Sequence, residues 1–255
     1  MFLDRIVTSV DARVEALRDE WARLEEKAQN MPPTRSLADA LRAEPGTLQV
    51  IAECKQRSPS KGWLTDRYDP VAQAQGYQRA GAAAISVLTE PEFFAGDLGH
   101  LRAVRDAVSI PVLRKDFIRH PVQIAEARAA GADAVLLIIR ILEPDQYRAL
   151  YDYATRLGLD VLVEIHSPVE AEVALTANPA IIGVNNRDLD SFETRLSFSQ
   201  EMAVVLGPDI IKVSESGIHQ VEDLRQVRDW GYQAVLVGEA LMRGRPLLEE
   251  WRANG

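Results

Sequence analysis

Acidic, basic and amide side chains lie at the carboxyl ends of five short apolar segments in this sequence. Such residues suit general acid–base chemistry, in which a cation gives a proton to a developing oxyanion and a carboxylate removes a proton elsewhere. A charge within an apolar segment costs on the order of several kcal/mol unless it is paired, so we expect these side chains to converge on one cavity. The residues are Glu53, Lys55, Lys115, Glu164, Asn185, Arg187 and Glu215.

The same residues could instead form a structural salt-bridge network that closes one end of the fold. We favour a catalytic site, because a network used only for stability is rarely better than an apolar core. Side chains alternate along a strand, so Glu53 and Lys55 share one face while Cys54 takes the other. We expect Cys54 to pack as a small buried hydrophobic residue and not to act as a nucleophile.

The four histidines do not form a metal-binding pattern. His100, His120, His166 and His219 lack metal-ligand spacing with another histidine or with the cysteine, and we therefore expect no metal site. His166 follows the fifth apolar segment and could contact a substrate, although a loop or capping role is favoured.

Eight apolar segments alternate with amphipathic helical segments along the chain. Near-continuous apolar strands separated by helices indicate a parallel sheet that is buried on both faces. Eight such units in 255 residues predict an α/β fold of the (βα)8 TIM-barrel type. An open Rossmann-like sheet is the alternative, but no G-x-G-x-x-G follows the first strand. The predicted strands are 48–55, 83–88, 111–117, 134–142, 160–165, 181–187, 210–216 and 234–238.

A charged helical segment precedes the first predicted strand. Apolar residues recur at three- and four-residue steps over 2–29, which is typical of a helix with one buried stripe. Pro32-Pro33 ends this helix, and Ser36 provides an N-cap for a second one. We expect 1–46 to form an N-terminal helical extension packed on a barrel of 47–255, with a single domain overall.

Small residues follow the last two predicted strands, where barrels often bind phosphate. Ser216-Gly217 and Gly238-Glu239 could present backbone N–H groups to an anion beside a short helix. Ser58, in the loop after the first strand, could add a hydroxyl group. The pattern predicts a phosphate site at this end of the barrel.

Composition and charge limit the classes of partner. A formal net charge of −9 argues against a nucleic-acid ligand, because phosphate backbones favour a basic face. The longest apolar stretch is far too short to span a bilayer, no secretory pattern opens the chain, and a single cysteine rules out an intramolecular disulfide. We expect a cytoplasmic protein that binds a small molecule and is a monomer or weak homo-oligomer.

Several segments resemble the signatures of indole-3-glycerol phosphate synthases. The most specific is 51–62, with the sequence IAECKQRSPSKG. The resemblance runs in the same order from about residue 35 to residue 243. The other matching segments are 86–90, 93–96, 113–118, 183–189, 214–218 and 236–243.

The resemblance implies a cofactor-free enzyme of tryptophan biosynthesis. Its substrate would be 1-(2-carboxyphenylamino)-1-deoxyribulose 5-phosphate, and its products would be indole-3-glycerol phosphate, carbon dioxide and water. Lys115 matches the family's general acid at the ketone oxygen, and Glu164 matches its proton-transferring carboxylate. Lys55 matches a residue that contacts the substrate carboxylate and could protonate the leaving hydroxyl, with Glu53 holding either lysine. The resemblance leaves open which lysine acts at which step.

The resemblance also implies how the substrate would be bound. Asn185 is expected to hydrogen-bond a substrate hydroxyl or carboxylate, while Arg187 and Glu215 support the polar floor. For the two aromatic residues among the binding positions, ordinary core packing is the alternative role. The phosphate positions are Ser58, Ser216, Gly217, Gly238 and Glu239, the last through its backbone N–H, and the ring positions are Phe94 and Phe117 with Leu236 beneath.

Three other functions fit parts of the pattern. A Schiff-base aldolase would use Lys115 or Lys212 as its nucleophile, but Lys212 lies on the strand face opposite Glu215. Phosphoribosylanthranilate isomerase lacks the N-terminal extension and the paired Glu53 and Lys55. A non-catalytic sensor of phosphorylated ligands would have lost the acids and bases, whereas every matched acid or base position here carries Glu or Lys.

Overall fold

The computed structural model describes residues 2–42, 44 and 46–254 of the chain. The two predicted units, 1–46 and 47–255, each include residues that lie outside this set. The division between them remains a prediction.

Eight parallel strands close into a barrel, which confirms the predicted (βα)8 TIM-barrel fold. The first strand pairs with the second, Ile51 opposite Ala84, and with the last, Gln49 opposite Ala234, so the described sheet has no open edge. The strands are β1 (Gln49–Cys54), β2 (Ala84–Leu88), β3 (Val112–Lys115), β4 (Ala134–Ile138), β5 (Asp160–Ile165), β6 (Ile181–Asn185), β7 (Ile211–Glu215) and β8 (Ala234–Val237).

The strands are buried because helices cover their outer face and side chains fill the barrel interior. All residues of β2 and β4 are buried, as their uninterrupted apolar sequence predicts for parallel strands. Within the described part of the chain, no helix is long and apolar enough to cross a membrane.

Three predicted strands are at least two residues too long at their carboxyl ends, among them 181–187, which is a strand only to Asn185. The segment 134–142 is a strand only to Ile138, and Ile139–Ile141 form a 3-10 turn that keeps both isoleucines buried. The residues of the strand and the two isoleucines of the turn are alike apolar and buried. The apolar sequence therefore does not show where hydrogen bonding to the neighbouring strands ends. The segment 111–117 leaves the sheet after Lys115.

The predicted N-terminal helical segment over 2–29 is confirmed, although a 3-10 turn at Arg18–Glu20 divides it into two α-helices. None of the three turn residues is buried, so no packing contact holds them in α-helical geometry. The helices are α1 (Phe2–Leu17), α2 (Trp21–Gln29), α3 (Leu37–Leu41), α4 (Pro70–Ala80), α5 (Pro91–Phe94), α6 (Leu98–Ala107), α7 (Pro121–Ala129), α8 (Pro144–Arg156), α9 (Pro168–Leu175), α10 (Ser197–Val205), α11 (Val221–Asp229), α12 (Glu239–Met242) and α13 (Leu247–Asn254).

Carboxylates at the amino ends of the strands bind the N-terminal segment to the barrel. Asp133, just before β4, accepts hydrogen bonds from the backbone N–H groups of Arg35, at 2.8 Å, and of Val112, at 2.9 Å. Asp160 accepts one from Ala38 at 2.9 Å, and Ser36 caps α3 as predicted. These contacts lie at the opposite end of the strands from the polar residues singled out by sequence.

Replacing Asp133 tests this connection. Asp133 is fully buried and also lies 3.0 Å from Arg105 Nε. Asp133→Ala is expected to lower the free energy of unfolding by about 3 kcal/mol, because each buried donor left unsatisfied costs ~1–3 kcal/mol. Urea unfolding followed by circular dichroism measures the loss. Asp209→Ala, in an exposed loop, is the matched control, and equal midpoints for the two variants would contradict the structural role.

Candidate active site

One cavity at the carboxyl ends of the strands contains all the residues predicted from sequence to form the site. Each of the eight strands ends at this side of the barrel, so residues far apart in sequence meet there. The cavity is lined by Glu53, Lys55, Ser58, Phe94, Lys115, Phe117, Glu164, Asn185, Arg187, Glu215, Ser216, Gly217, Leu236, Gly238 and Glu239.

Lys115, at the end of β3, is the centre of the polar cluster. Its Nζ lies 2.9 Å from Glu164 Oε2 on β5 and 2.5 Å from Glu215 Oε2 on β7. Both carboxylates are almost fully buried, and such charges are tolerated because each is paired. Gly183 on β6 makes the arrangement possible, since a Cβ there would overlap the carboxylate of Glu215.

The surroundings of Lys115 shift the pKa values of Glu164 and Glu215 in opposite directions. Burial alone would lower the pKa of Lys115, but Glu164, Glu215 and Glu53 outweigh it and raise that pKa. Burial would raise the pKa of Glu164, yet Lys115 and His166 hold it well below its usual range. Burial and the charge of Glu164 raise the pKa of Glu215 to about 7, although Lys115 opposes them. Two acids with opposite shifts are suited to different proton-transfer roles.

A second ion pair stands beside the first. Lys55 Nζ lies 2.7 Å from Glu53 Oε1, so Glu53 contacts Lys55 directly. The sequence left open which lysine it would hold. Gly238 at the end of β8 provides the space, because a Cβ there would overlap Glu53 and come within 3.0 Å of Lys55 Nζ. The prediction that Glu53 and Lys55 share one face of the strand is confirmed, since both line the cavity.

Asn185 and Arg187 extend the polar network from the floor to the rim. Asn185 Nδ2 donates to Glu164 Oε1 at 3.1 Å, and its Oδ1 accepts from the Arg187 backbone at 3.1 Å. The Arg187 guanidinium donates to Ser60 at 3.3 Å and lies 3.7 Å from Glu239 Oε2. Arg187 therefore spans the loops after β1 and β8, whereas Glu215 lies with Lys115 at the floor.

The expected phosphate positions lie together along the rim after β7, β8 and β1. Ser216 and Gly217 both have left-handed backbone, with φ of 65° and 85°, which turns the chain sharply as it leaves β7. Ser58 Oγ accepts a hydrogen bond from the Lys61 backbone at 3.2 Å. The Glu239 carboxylate lies 3.0 Å from Arg243 as well as near Arg187, so its charge is partly neutralised.

The apolar side of the cavity contains two neighbouring aromatic rings. Phe94 and Phe117 lie 6.0 Å apart between centroids, with an angle of 37° between ring planes. The sequence missed a further wall, formed by the N-terminal helix and the loop after β6. The apolar stripe of α1 indicated that one face of this helix is buried, but it did not show which part of the barrel that face covers. These additional lining residues are Phe2, Leu3, Ile6, Leu189 and Phe192.

Cys54 and His166 lie just outside the cavity wall. Cys54 is fully buried, and burial raises the pKa of its thiol, which agrees with the predicted packing role. His166 lies in the loop between β5 and α9, as its position after a strand suggested, and its backbone N–H donates to Glu170 in the first turn of α9. Its Nε2 also lies 3.1 Å from Glu164 Oε1, a contact that the sequence analysis did not predict. Among the described residues, no group of three or more His, Cys, Asp or Glu is arranged to hold a metal ion.

The chain is similar over nearly its whole length to one family of proteins. The family model described as indole-3-glycerol phosphate synthase matches residues 3–252. Proteins named indole-3-glycerol phosphate synthase include one from Desulfotalea psychrophila, 45% identical over 98% of this chain and 98% of the relative. One from Chloroherpeton thalassium is 43% identical over 96% of both chains. One from Opitutus terrae is 49% identical over 88% of this chain and 87% of the relative.

The raised pKa of Glu215 predicts how stability depends on pH. Its ordinary value of 4.5 rises to about 7 in the folded protein, so the folded state binds the proton more tightly than the unfolded state does. The penalty on the ionised carboxylate is fully present above pH 7 and is relieved as the pH falls toward 4.5. Glu215→Gln should therefore raise Tm at about pH 8 by at least ~2 °C, the size of a roughly 1 kcal/mol effect, and by less at about pH 5.5.

Thermal unfolding at both pH values, followed by circular dichroism, measures this difference. Glu249→Gln, at an exposed position, controls for the loss of one negative charge. A gain for Glu215→Gln that is equal at the two pH values, or larger at the lower one, would contradict the shift.

Proposed function

Because the chain belongs to the indole-3-glycerol phosphate synthase family, we propose that the Lys115–Glu164 pair performs the ring closure that gives this enzyme its product in tryptophan biosynthesis. The observation that carries the proposal is the ammonium of Lys115, 2.9 Å and 2.5 Å from two buried carboxylates in the one cavity where all matched residues meet. The substrate is a small phosphorylated molecule, 1-(2-carboxyphenylamino)-1-deoxyribulose 5-phosphate.

Lys115 acts in the carbon–carbon bond-forming step. The ring carbon that bears the carboxylate attacks the ketone carbon of the ribulose chain, and the electron pair of the carbonyl bond moves to oxygen. Lys115 gives that oxygen a proton, and its positive field stabilises the charge as it develops. The carboxylate then leaves as carbon dioxide, and its bonding electrons return to the ring.

Glu164 and Lys55 act in the dehydration that follows. Glu164 removes the proton from carbon, and the hydroxyl formed in the first step leaves as water after protonation by Lys55. Two protons are given and one is taken, so each turnover consumes one proton, as the loss of a carboxylate as carbon dioxide requires. The 2.7 Å contact between Lys55 Nζ and Glu53 Oε1 holds Lys55 in place for this step.

Substrate binding follows from the two sides of the cavity. The anthranilate ring lies against Phe94 and Phe117 above Leu236, and Asn185 hydrogen-bonds a substrate hydroxyl or carboxylate. Arg187 links the floor to the phosphate rim through Ser60 and Glu239. The phosphate group is bound by Ser58, Ser216, Gly217, Gly238 and the backbone N–H of Glu239.

The alternative use of a lysine as a Schiff-base nucleophile is disfavoured. Such a lysine must be a neutral amine, whereas the carboxylates around Lys115 raise its pKa. Lys212 points from the outer face of β7 and does not line the cavity. Borohydride with a ketose phosphate should therefore leave no covalent adduct.

The cellular setting is proposed on composition and charge. A cytoplasmic enzyme that works as a monomer or weak homo-oligomer, without a cofactor and without a nucleic-acid partner, agrees with a net charge of −9 and one buried cysteine. We also propose the division of the chain into a helical extension of 1–46 and a catalytic barrel of 47–255.

The proposed reaction is tested by incubating the protein with the anilino-ribulose substrate and following indole fluorescence. Lys115→Ala should reduce kcat by at least about 100-fold, since general acid catalysis contributes ~10²–10⁴-fold. Lys115→Arg keeps the buried charge, but its guanidinium does not give up a proton, so it should fold normally and be similarly inactive. Near-normal turnover by either variant would remove Lys115 from its role.

Glu164→Gln separates proton transfer from binding. The amide keeps the shape of the carboxylate but cannot accept the proton, so kcat should fall by about 100-fold or more while KM changes little. Asn185 and Lys115 still contact this side chain, which limits disturbance of the fold. A change confined to KM would show that Glu164 only positions the substrate.

A further inference from the structure

His166 lies directly behind Glu164 and is buried between two carboxylates. It follows β5 by one residue, and only 2% of its side chain is exposed. Its Nε2 lies 3.1 Å from Glu164 Oε1, and its Nδ1 lies 3.3 Å from Glu170 Oε2. Because the ring does not line the cavity, it can affect the substrate only through Glu164.

The contacts on the far side of His166 hold the ring in place. Its backbone N–H donates to Glu170 Oε2 at 2.7 Å, so the first turn of α9 is tied to the end of β5. Glu170 Oε1 accepts from Arg140 Nε at 3.0 Å, and Arg140 Nη1 lies 3.4 Å from Asp188. Charges of alternating sign therefore run from Lys115 through Glu164, His166, Glu170 and Arg140 to the half-exposed Asp188.

This arrangement favours the imidazolium form of His166. Burial alone would lower the pKa of the ring, but the adjacent carboxylates of Glu164 and Glu170 raise it to about 9. Glu164 on β5 and Glu170 on α9 are the charged groups that face the ring, and Arg140, in the turn after β4, stands behind Glu170. Glu164 therefore has a second cation beside it, in addition to Lys115, that stays protonated at neutral pH.

A second cation matters at the moment when Lys115 gives its proton to the substrate. Glu164 and Glu215 then lose the positive charge that they share, and two buried carboxylates 2.9 Å and 2.5 Å from a neutral amine would be costly. A fixed positive charge next to Glu164 reduces this cost. It also weakens the pull of the carboxylates on the Lys115 proton, which makes Lys115 a stronger acid.

We propose that His166 is a positioning residue for the ring closure, whose imidazolium keeps Glu164 ionised and correctly oriented while Lys115 is deprotonated. The inference rests on the proposed function, because it assigns His166 a part in that same reaction. It predicts an effect on kcat and on its pH dependence, which a residue needed only for folding would not produce.

The first test removes the charge and keeps the hydrogen-bonding shape. His166→Gln should lower kcat by about 10-fold, the change that one pKa unit of lost stabilisation gives, with KM within about twofold of the wild type. Without the imidazolium, Glu164 takes up a proton more readily, so the acid limb of the kcat profile should move to higher pH. A folded His166→Gln protein with wild-type kcat and an unchanged profile would overturn the inference.

The second test leaves His166 in place and changes its other partner. Glu170→Gln removes one charge that stabilises the imidazolium, so the alkaline limb of kcat should move to lower pH. Glu172→Gln, on an exposed position of the same helix α9, is the matched control and should leave the profile unchanged. If the two variants have the same profile, the inference fails, even if His166→Gln does not fold.

Turnover by the wild type distinguishes the two levels of the proposal. If the wild type closes the indole ring and Lys115→Arg does not, but the His166 and Glu170 variants match the wild type, only the inference about His166 fails. If the wild type itself gives no product from the anilino-ribulose substrate, the proposed function fails and the inference falls with it.

Discussion

The ammonium of Lys115, shared by Glu164 and Glu215 on the inner wall of a closed barrel, is the interaction on which the rest of the site depends. Three charged groups at this depth are stable only if each is paired, because an isolated buried ion costs several kcal/mol. The pairing requires the carboxyl ends of β3, β5 and β7 to lie at one side of the barrel, as they do in the closed parallel sheet. It also requires space, and Gly183 supplies it by having no Cβ beside the Glu215 carboxylate.

The same pairing explains how one cluster can both donate and accept protons. Lys115 and His166 hold Glu164 in its ionised form, whereas burial beside another carboxylate raises the pKa of Glu215 to about 7. Asn185 donates a 3.1 Å hydrogen bond to Glu164 Oε1, the oxygen that also lies next to His166. A firmly ionised carboxylate, a paired ammonium and a weakly ionised carboxylate are the components that a condensation followed by dehydration needs.

The sequence was sufficient for the fold and for the polar residues that meet in the cavity, because both leave local signals. Strand periodicity placed Glu53 and Lys55 on one face, and polar residues at the ends of apolar segments marked the mouth of the barrel. Other features depend on distances between distant segments. Nothing local showed that Arg187 would cross to Glu239. His166 is different, because it lies two residues after Glu164 and alternation along the strand could have placed the two on one face. The 3-10 turn at Arg18–Glu20 and the end of β4 at Ile138 were not predicted either, because neither changes the pattern of apolar residues.

Nitrogen-15 NMR of the lysine side chains can report the protonation state of Lys115, and the chain has only five lysines. Lys115→Arg assigns the signal. If the two carboxylates control Lys115, its Nζ stays an ammonium at about pH 11, above its ordinary pKa of 10.5, because a nearby opposite charge favours the charged form. A Lys115 that becomes a neutral amine at or below about pH 9 would show that burial dominates, and the paired ammonium on which this account depends would not exist.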